Sequence, residues 1–190
     1  MKNILMIMMG LFVFAAACTD PELDPFQFDK IKQGSLITLR GDAVELLNDP
    51  ANRGAVDTFS ISGDPAMQSF DIEADFLAED INSLSEVQFY AKATENGART
   101  RVATVPGSAF TLAAGAGTYP RASISIPLSD ILTAIGKSLS DFAVNDYIFI
   151  EADLLLKDGS VVPASSFSNL SLYESLLFYP AHKLRLIAKP

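Results

Sequence analysis

The chain has 190 residues and a formal net charge of −9, from 14 Lys and Arg against 23 Asp and Glu. An acidic balance of this size argues against charge-driven binding of nucleic acid or of anionic membrane surfaces. One Cys and one His exclude a zinc centre, because zinc takes several such ligands.

The first segment reads as a targeting device. Met1-Lys2-Asn3 is a basic start, the run from Ile4 to Phe14 is almost wholly apolar, and Ala15-Ala16-Ala17 are small. This pattern predicts a secretory signal peptide over residues 1–17. A membrane-spanning helix needs roughly 20 apolar residues; this run is shorter and meets Asp20, Glu22 and Asp24. Two cleavages fit. An A-x-A cut after Ala17, with Ala15 at the other small position, leaves Cys18 as a free thiol. Alternatively, "AAAC" resembles the lipobox of bacterial lipoproteins, although Ala15 stands where that motif prefers Leu or Val. The resemblance implies cleavage between Ala17 and Cys18, a diacylglyceryl thioether on Cys18 and acylation of the new amine. An exported chain with a single Cys has no intrachain disulfide partner for it, and a lipid accounts for that residue. Each buried CH₂ contributes about 0.8 kcal/mol, so two or more acyl chains give stable attachment.

Residues 18–34 then read as the lipidated N-terminus and a tether. Pro21 and Pro25 interrupt regular structure, and acids dominate its first half. The acids after Cys18 resemble the export signal of surface-displayed lipoproteins in glycan-degrading Gram-negative bacteria; a solvated linker is the other reading.

From residue 35 to 190 the patterning suits one domain, and period-two alternation dominates. "SLITLR" (35–40) puts Leu36, Thr38 and Arg40 opposite Ile37 and Leu39. "AVDTFSIS" (55–62) alternates. "SFDIEADF" (69–76) sets Phe70, Ile72, Ala74 and Phe76 against Asp71, Glu73 and Asp75. "EVQFYAKA" (86–93) turns Val87, Phe89 and Ala91 inward. Asn96-Gly97 signals a two-residue hairpin into "RTRVATV" (99–105). "RASISIPL" (121–128) aligns Ile124, Ile126 and Leu128. "DYIFIEADLLL" (146–156) turns back through residues 157–160 into "SVV" (160–162), and "HKLRLIA" (182–188) closes the series. A helix is expected after Ser129-Asp130, with Ile131, Leu132 and Ile135 at helical spacing and Gly136 as its stop; "DAVELLND" (42–49) is a weaker helical candidate. These elements predict an antiparallel immunoglobulin-like β-sandwich of seven to nine strands with one short crossover helix. The long loops, 106–120 and 163–181, are where a binding surface is expected.

The order and texture of "FQFD", "KQGSLITLRG", "FDIEADF", "VQFYAKATENG", "ISIPLSDILTAIG" and "DYIFIEADLLLKDGS" resemble small outer-membrane lipoproteins found beside TonB-dependent, Sus-type glycan or nutrient importers. The resemblance implies a lipid-anchored cell-envelope protein on the outer membrane, facing the cell surface or the periplasm. Its partners would be an importer complex and polysaccharide.

Catalytic signals are weak. His182 is expected at an edge or core rim, no nucleophile elbow is present, and Cys18 is committed to lipid. Asp71, Glu73 and Asp75, followed by Glu79 and Asp80, form the densest acidic cluster, and calcium takes oxygen ligands; the cluster also reads as a solvated strand face. The expectation is a non-enzymatic binding or assembly component without a cofactor. The alternatives are an adhesion or structural lipoprotein without ligand and a glycan-acting hydrolase. Pyranose rings stack on exposed aromatics, and Tyr119, Tyr173 and Tyr179 lie in the long loops. They could equally anchor their loops on the core, or contact a partner protein.

Overall fold

The chain divides at Gly34/Ser35, and the computed structural model describes residues 35–112, 119–167 and 181–190. Ala17, Cys18, Tyr173 and Tyr179 lie outside the described residues. In chain order the elements are β1 (Leu36–Arg40), α1 (Asp42–Asn48), β2 (Asp57–Ser60), β3 (Ser69–Leu77), β4 (Leu84–Lys92), β5 (Thr100–Pro106) and β6 (Arg121–Pro127). Then come α2 (Leu128–Ile135), β7 (Tyr147–Leu156), β8 (Val161–Val162) and β9 (Lys183–Lys189).

The chain forms the expected β-sandwich. One sheet has three strands in the order β1-β3-β6; the other has six, in the order β2-β9-β7-β4-β5 with β8 beside β7. Among the described residues every strand pair is antiparallel except β2 with β9, which run parallel. Among the described residues no helix is long and apolar enough to cross a membrane.

Alternation places the core. In the smaller sheet Phe70, Ile72, Ala74 and Phe76 face inward, and the register sets Phe76 beside Ile37, Ala74 beside Leu39, and Ile72 beside Ile124. Opposite them the larger sheet contributes Val87, Phe89, Ile148, Ile150, Leu154, Leu184 and Leu186, all buried. Phe59, Phe70, Phe76 and Phe89 are completely enclosed. Burying a side chain of this size stabilises by about 1.5–3 kcal/mol, so this one layer of rings contributes strongly to the fold.

α2 carries the chain from β6 in one sheet to β7 in the other, as the crossover expected. Its start differs from the sequence reading. Ser129 and Asp130 do not cap it; Pro127 is the N-cap, with no side-chain bond. The Leu128 N–H is taken instead by the Gln68 carbonyl at 2.9 Å, so the helix begins earlier and Asp130 falls in its first turn, where a negative charge suits the dipole. Its stop is as read: Gly136 takes φ 63, and the Lys137 N–H closes on the Leu132 carbonyl at 3.0 Å.

The hairpin also differs. β4 ends at Lys92 and β5 begins at Thr100, so Asn96-Gly97 is not a two-residue turn. It lies within a longer loop, 93–99. The Gly97 N–H donates to the Thr94 carbonyl at 3.0 Å, and neither Asn96 nor Gly97 adopts positive φ.

Candidate functional site

The outward face of β7 carries Tyr147, Phe149, Glu151 and Asp153, while Ile148, Ile150, Ala152 and Leu154 fill the core. Lys92 on one side and Arg185 on the other flank Phe149 in register. Toward the C-terminal half of β7 this face is sealed by ion pairs. Arg99 binds Glu151 at 2.9 Å and Asp153 at 2.8 Å, and Lys92 binds Glu151 at 2.6 Å. The Arg99 guanidinium lies 4.1 Å from the Tyr90 ring centroid.

Toward the N-terminal end the face is aromatic and open. The Tyr147 and Phe149 rings stand 6.3 Å apart at 51°, both half-buried. The Arg185 guanidinium is 5.7 Å from each. Asn145, at φ 74, makes the turn that delivers Tyr147 to this face; Asn tolerates that conformation better than most residues. The Asn145 N–H donates to the Ala188 carbonyl and the Ala188 N–H to the Asp146 carbonyl, at 2.9 and 2.8 Å, which pins the turn to β9.

Beside these rings lies a groove of about 470 Å³, lined by Phe142, Tyr147 and Phe149 together with Glu95, Asp146 and Lys137, among others. Phe142 anchors one wall, its ring packed edge-on against the core ring of Phe59 at 5.3 Å. Asp141 also lines the groove, and its Oδ2 accepts from the Ser138 N–H at 2.7 Å and hydroxyl at 2.9 Å. Those bonds hold its carboxyl below the usual carboxylate range. Asp146 Oδ2 accepts from the Ala143 N–H at 2.7 Å. Glu95 stands at the rim, 71% exposed, with Oε1 4.0 Å from Arg185. Aromatic faces and fixed carboxylates around an open groove suit the stacking of a ring and the holding of its polar substituents.

The described residues that the sequence singled out are placed elsewhere. Asp71, Glu73 and Asp75 do share the outward face of β3, but they do not act together. Asp75 is only 2% exposed, and its two oxygens bind Arg40 at 2.6 Å and Arg121 at 2.7 Å. It is therefore a charge-paired buried group and not part of a solvated face. Asp71 and Glu73 instead line a shallow cleft of about 340 Å³ with Arg40, Asp42, Ser123 and Ser125. The Asp71 N–H donates to Asp57 Oδ2 at 2.9 Å; burial pushes the Asp57 carboxyl up, partly offset by that bond and the Thr58 N–H. Among the described residues no three His, Cys, Asp or Glu side chains are grouped to hold a metal ion.

His182 is not at an edge or rim. It is fully buried, because both ring nitrogens find backbone partners inside: Nε2 accepts from Ile37 and Nδ1 meets the Ala152 carbonyl. Tyr119 is half-buried two residues before β6, a strand of the other sheet from the groove. The aromatic pair at Tyr147 and Phe149 was legible as an anomaly: both occupy positions of the β7 alternation where polar residues usually face water.

No family model matches the chain, and no curated protein matches it. Among solved structures, murine CRIg is similar over 70% of this chain and 91% of that chain, at 8% sequence identity and a TM-score of 0.31. The sandwich itself is defined by its two sheets and the core they share.

Proposed function

We propose that the chain is a non-enzymatic binding module, anchored by lipid on Cys18 at the surface of an outer membrane, that takes a saccharide on the Tyr147–Phe149 face as an accessory of a nutrient importer. The observation that carries the binding role is the pair of rings 6.3 Å apart on an outward strand face, opening on a groove with carboxylates at its edge. Two half-buried rings on an outward strand face leave apolar area in water that a stacking ligand would cover. The lone Cys18 after "AAA", the acidic tether and the Sus-type texture of the chain support the anchor and its setting.

Affinity electrophoresis through immobilised glycans tests the binding role. The chain is expected to be retarded by at least one polysaccharide, and the double variant Tyr147→Ala, Phe149→Ala to lose about tenfold or more in affinity while keeping its circular dichroism. No retardation across a broad glycan panel would overturn it. For the anchor, the native chain should sit in the membrane fraction and Cys18→Ser should move it to the soluble fraction; a native chain already soluble would leave the A-x-A cut as the better account, and a variant that stays bound would overturn the lipid on Cys18.

A further inference from the structure

We infer that the saccharide taken by this groove carries a protonated amine, its ring on Tyr147 and Phe149 and its ammonium directed to Glu95, on a lining that also carries Asp141 and Asp146. The inference rests on reading the groove as a saccharide site and adds the charge of the ligand. The charged lining is three carboxylates against one cation, Lys137. Arg185 offsets part of that surplus, but its contact with Glu95 is long, at 4.0 Å, and both groups are well exposed, so Glu95 can turn to a ligand at little cost. The ring faces are already used by a cation: the Arg185 guanidinium lies 5.7 Å from both centroids, as expected of the negative face of an aromatic quadrupole. Hydrogen bonds to Oδ2 hold the Asp141 and Asp146 carboxylates in place. The net charge of −9 gathers cations around the molecule and opposes an acidic polysaccharide. The two-ring platform suits one pyranose ring rather than an extended basic peptide.

The test titrates the detergent-solubilised full chain, just below neutral pH and at low salt, with a glucosamine oligomer and with its N-acetylated counterpart of equal length. The amine form should bind about three- to fivefold more tightly, the worth of one exposed charge pair. That preference should shrink with added salt and in Glu95→Gln, and binding of both oligomers should be lost in Tyr147→Ala. Equal binding of the two oligomers, with both lost in Tyr147→Ala, overturns the amine and leaves the saccharide site standing. Binding of neither overturns the amine; the saccharide site falls with it only if the broad glycan panel also shows no retardation. Tighter binding of an oligolysine peptide than of the glucosamine oligomer, again lost in Tyr147→Ala, overturns the inference in favour of a basic peptide.

Discussion

His182 Nε2 accepts the backbone N–H of Ile37 at 3.1 Å, across 145 positions of chain. Nδ1 lies 3.0 Å from the Ala152 carbonyl, so the ring is the neutral tautomer that donates there and accepts at Nε2. Backbone bonds run alongside: the Ala181 N–H donates to the Ile37 carbonyl at 2.8 Å and the Ala152 N–H to the His182 carbonyl at 3.0 Å. Ile37 belongs to the three-stranded sheet and Ala152 to the six-stranded one. One imidazole thus ties together by hydrogen bonds, from inside the core, two layers that meet there mainly through apolar side chains.

This clip makes stability depend on pH. Burial lowers the His182 pKa to about 4 from 6.5, with the Ala152 bond and the Asp153 charge acting in the opposite sense. Between those values the unfolded chain binds a proton that the folded chain does not, so unfolding becomes easier as pH falls. The contribution is complete above pH 6.5 and declines by about 1.4 kcal/mol per unit toward the folded value, about 3 kcal/mol in all. Urea denaturation at a series of pH values should show this slope in the native chain and its absence in His182→Gln. Equal slopes in the two proteins would refute the clip as the titrating group. At neutral pH the substitution should itself cost about 2–3 kcal/mol, because it strands a buried N–H or carbonyl.

Asp75 offers a second test. Its carboxylate is 3% exposed while its partners Arg40 and Arg121 are 46% and 34% exposed, so the burden of desolvation falls on the acid. Removing either arginine leaves the other in place, and each of Arg40→Ala and Arg121→Ala should cost about 1 kcal/mol. Removing both leaves a buried charge unpaired and should cost about 3–5 kcal/mol, well beyond the sum of the singles. Chemical denaturation of the three variants reads this directly; additivity would show that water already screens the acid.

These residues also mark where the sequence was legible. Alternation put Phe70, Ile72, Ala74 and Phe76 on one face and turned Val87, Phe89 and Ala91 inward, and all of them are buried, because a period of two decides which face a side chain takes. It does not say what covers that face. Asp75 was correctly turned outward yet is buried, and Tyr147 and Phe149 were left unremarked on a strand noted only for the turn that follows it. Asn96-Gly97 failed for a different reason. A local turn preference was overridden by long-range contacts: Lys92 Nζ holds the Glu95 carbonyl, and Arg99 is drawn down to Glu151 and Asp153. His182 gave no local signal, since its partners lie 30 and 145 positions away.

Thr38 lies opposite Asp75 in the β1–β3 register, and its buried hydroxyl has no hydrogen-bond partner. An unpaired buried hydroxyl costs free energy that an isosteric methyl does not. Thr38→Val should therefore stabilise the protein by about 1 kcal/mol, seen as a higher denaturation midpoint with an unchanged m-value. A loss of stability would mean that the hydroxyl is satisfied in solution.

Two glycines should respond to Ala for separate reasons. Gly136 needs its left-handed φ of 63 but has open space around it, so Gly136→Ala should cost about 1 kcal/mol, from backbone strain alone. At Gly107 a Cβ would run into the Leu84 carbonyl oxygen well inside van der Waals contact. Gly107→Ala must displace backbone and should cost about 2 kcal/mol or more. Thermal denaturation should rank the pair in that order, and the reverse order would refute the close approach.

Arg99 connects packing to the groove. Its guanidinium joins Glu151, Asp153 and the face of Tyr90, and so clamps the loop 93–99 onto the sheet. Glu95, in that loop, lines the groove. Arg99→Ala leaves Glu151 with Lys92 and Asp153 with the Ala164 N–H at 2.8 Å, so the fold should survive with a loss of about 2 kcal/mol. The loop should not: amide exchange across residues 93–99 should quicken while exchange in β7 holds. Arg99→Lys should rescue only part of this, because one ammonium cannot span both carboxylates as a planar fork does. Because a mobile Glu95 must be ordered again on binding, ligand affinity at the groove should fall in the same order, native above lysine above alanine. Unchanged exchange in the loop of the alanine variant would show that the clamp is not what holds that wall in place.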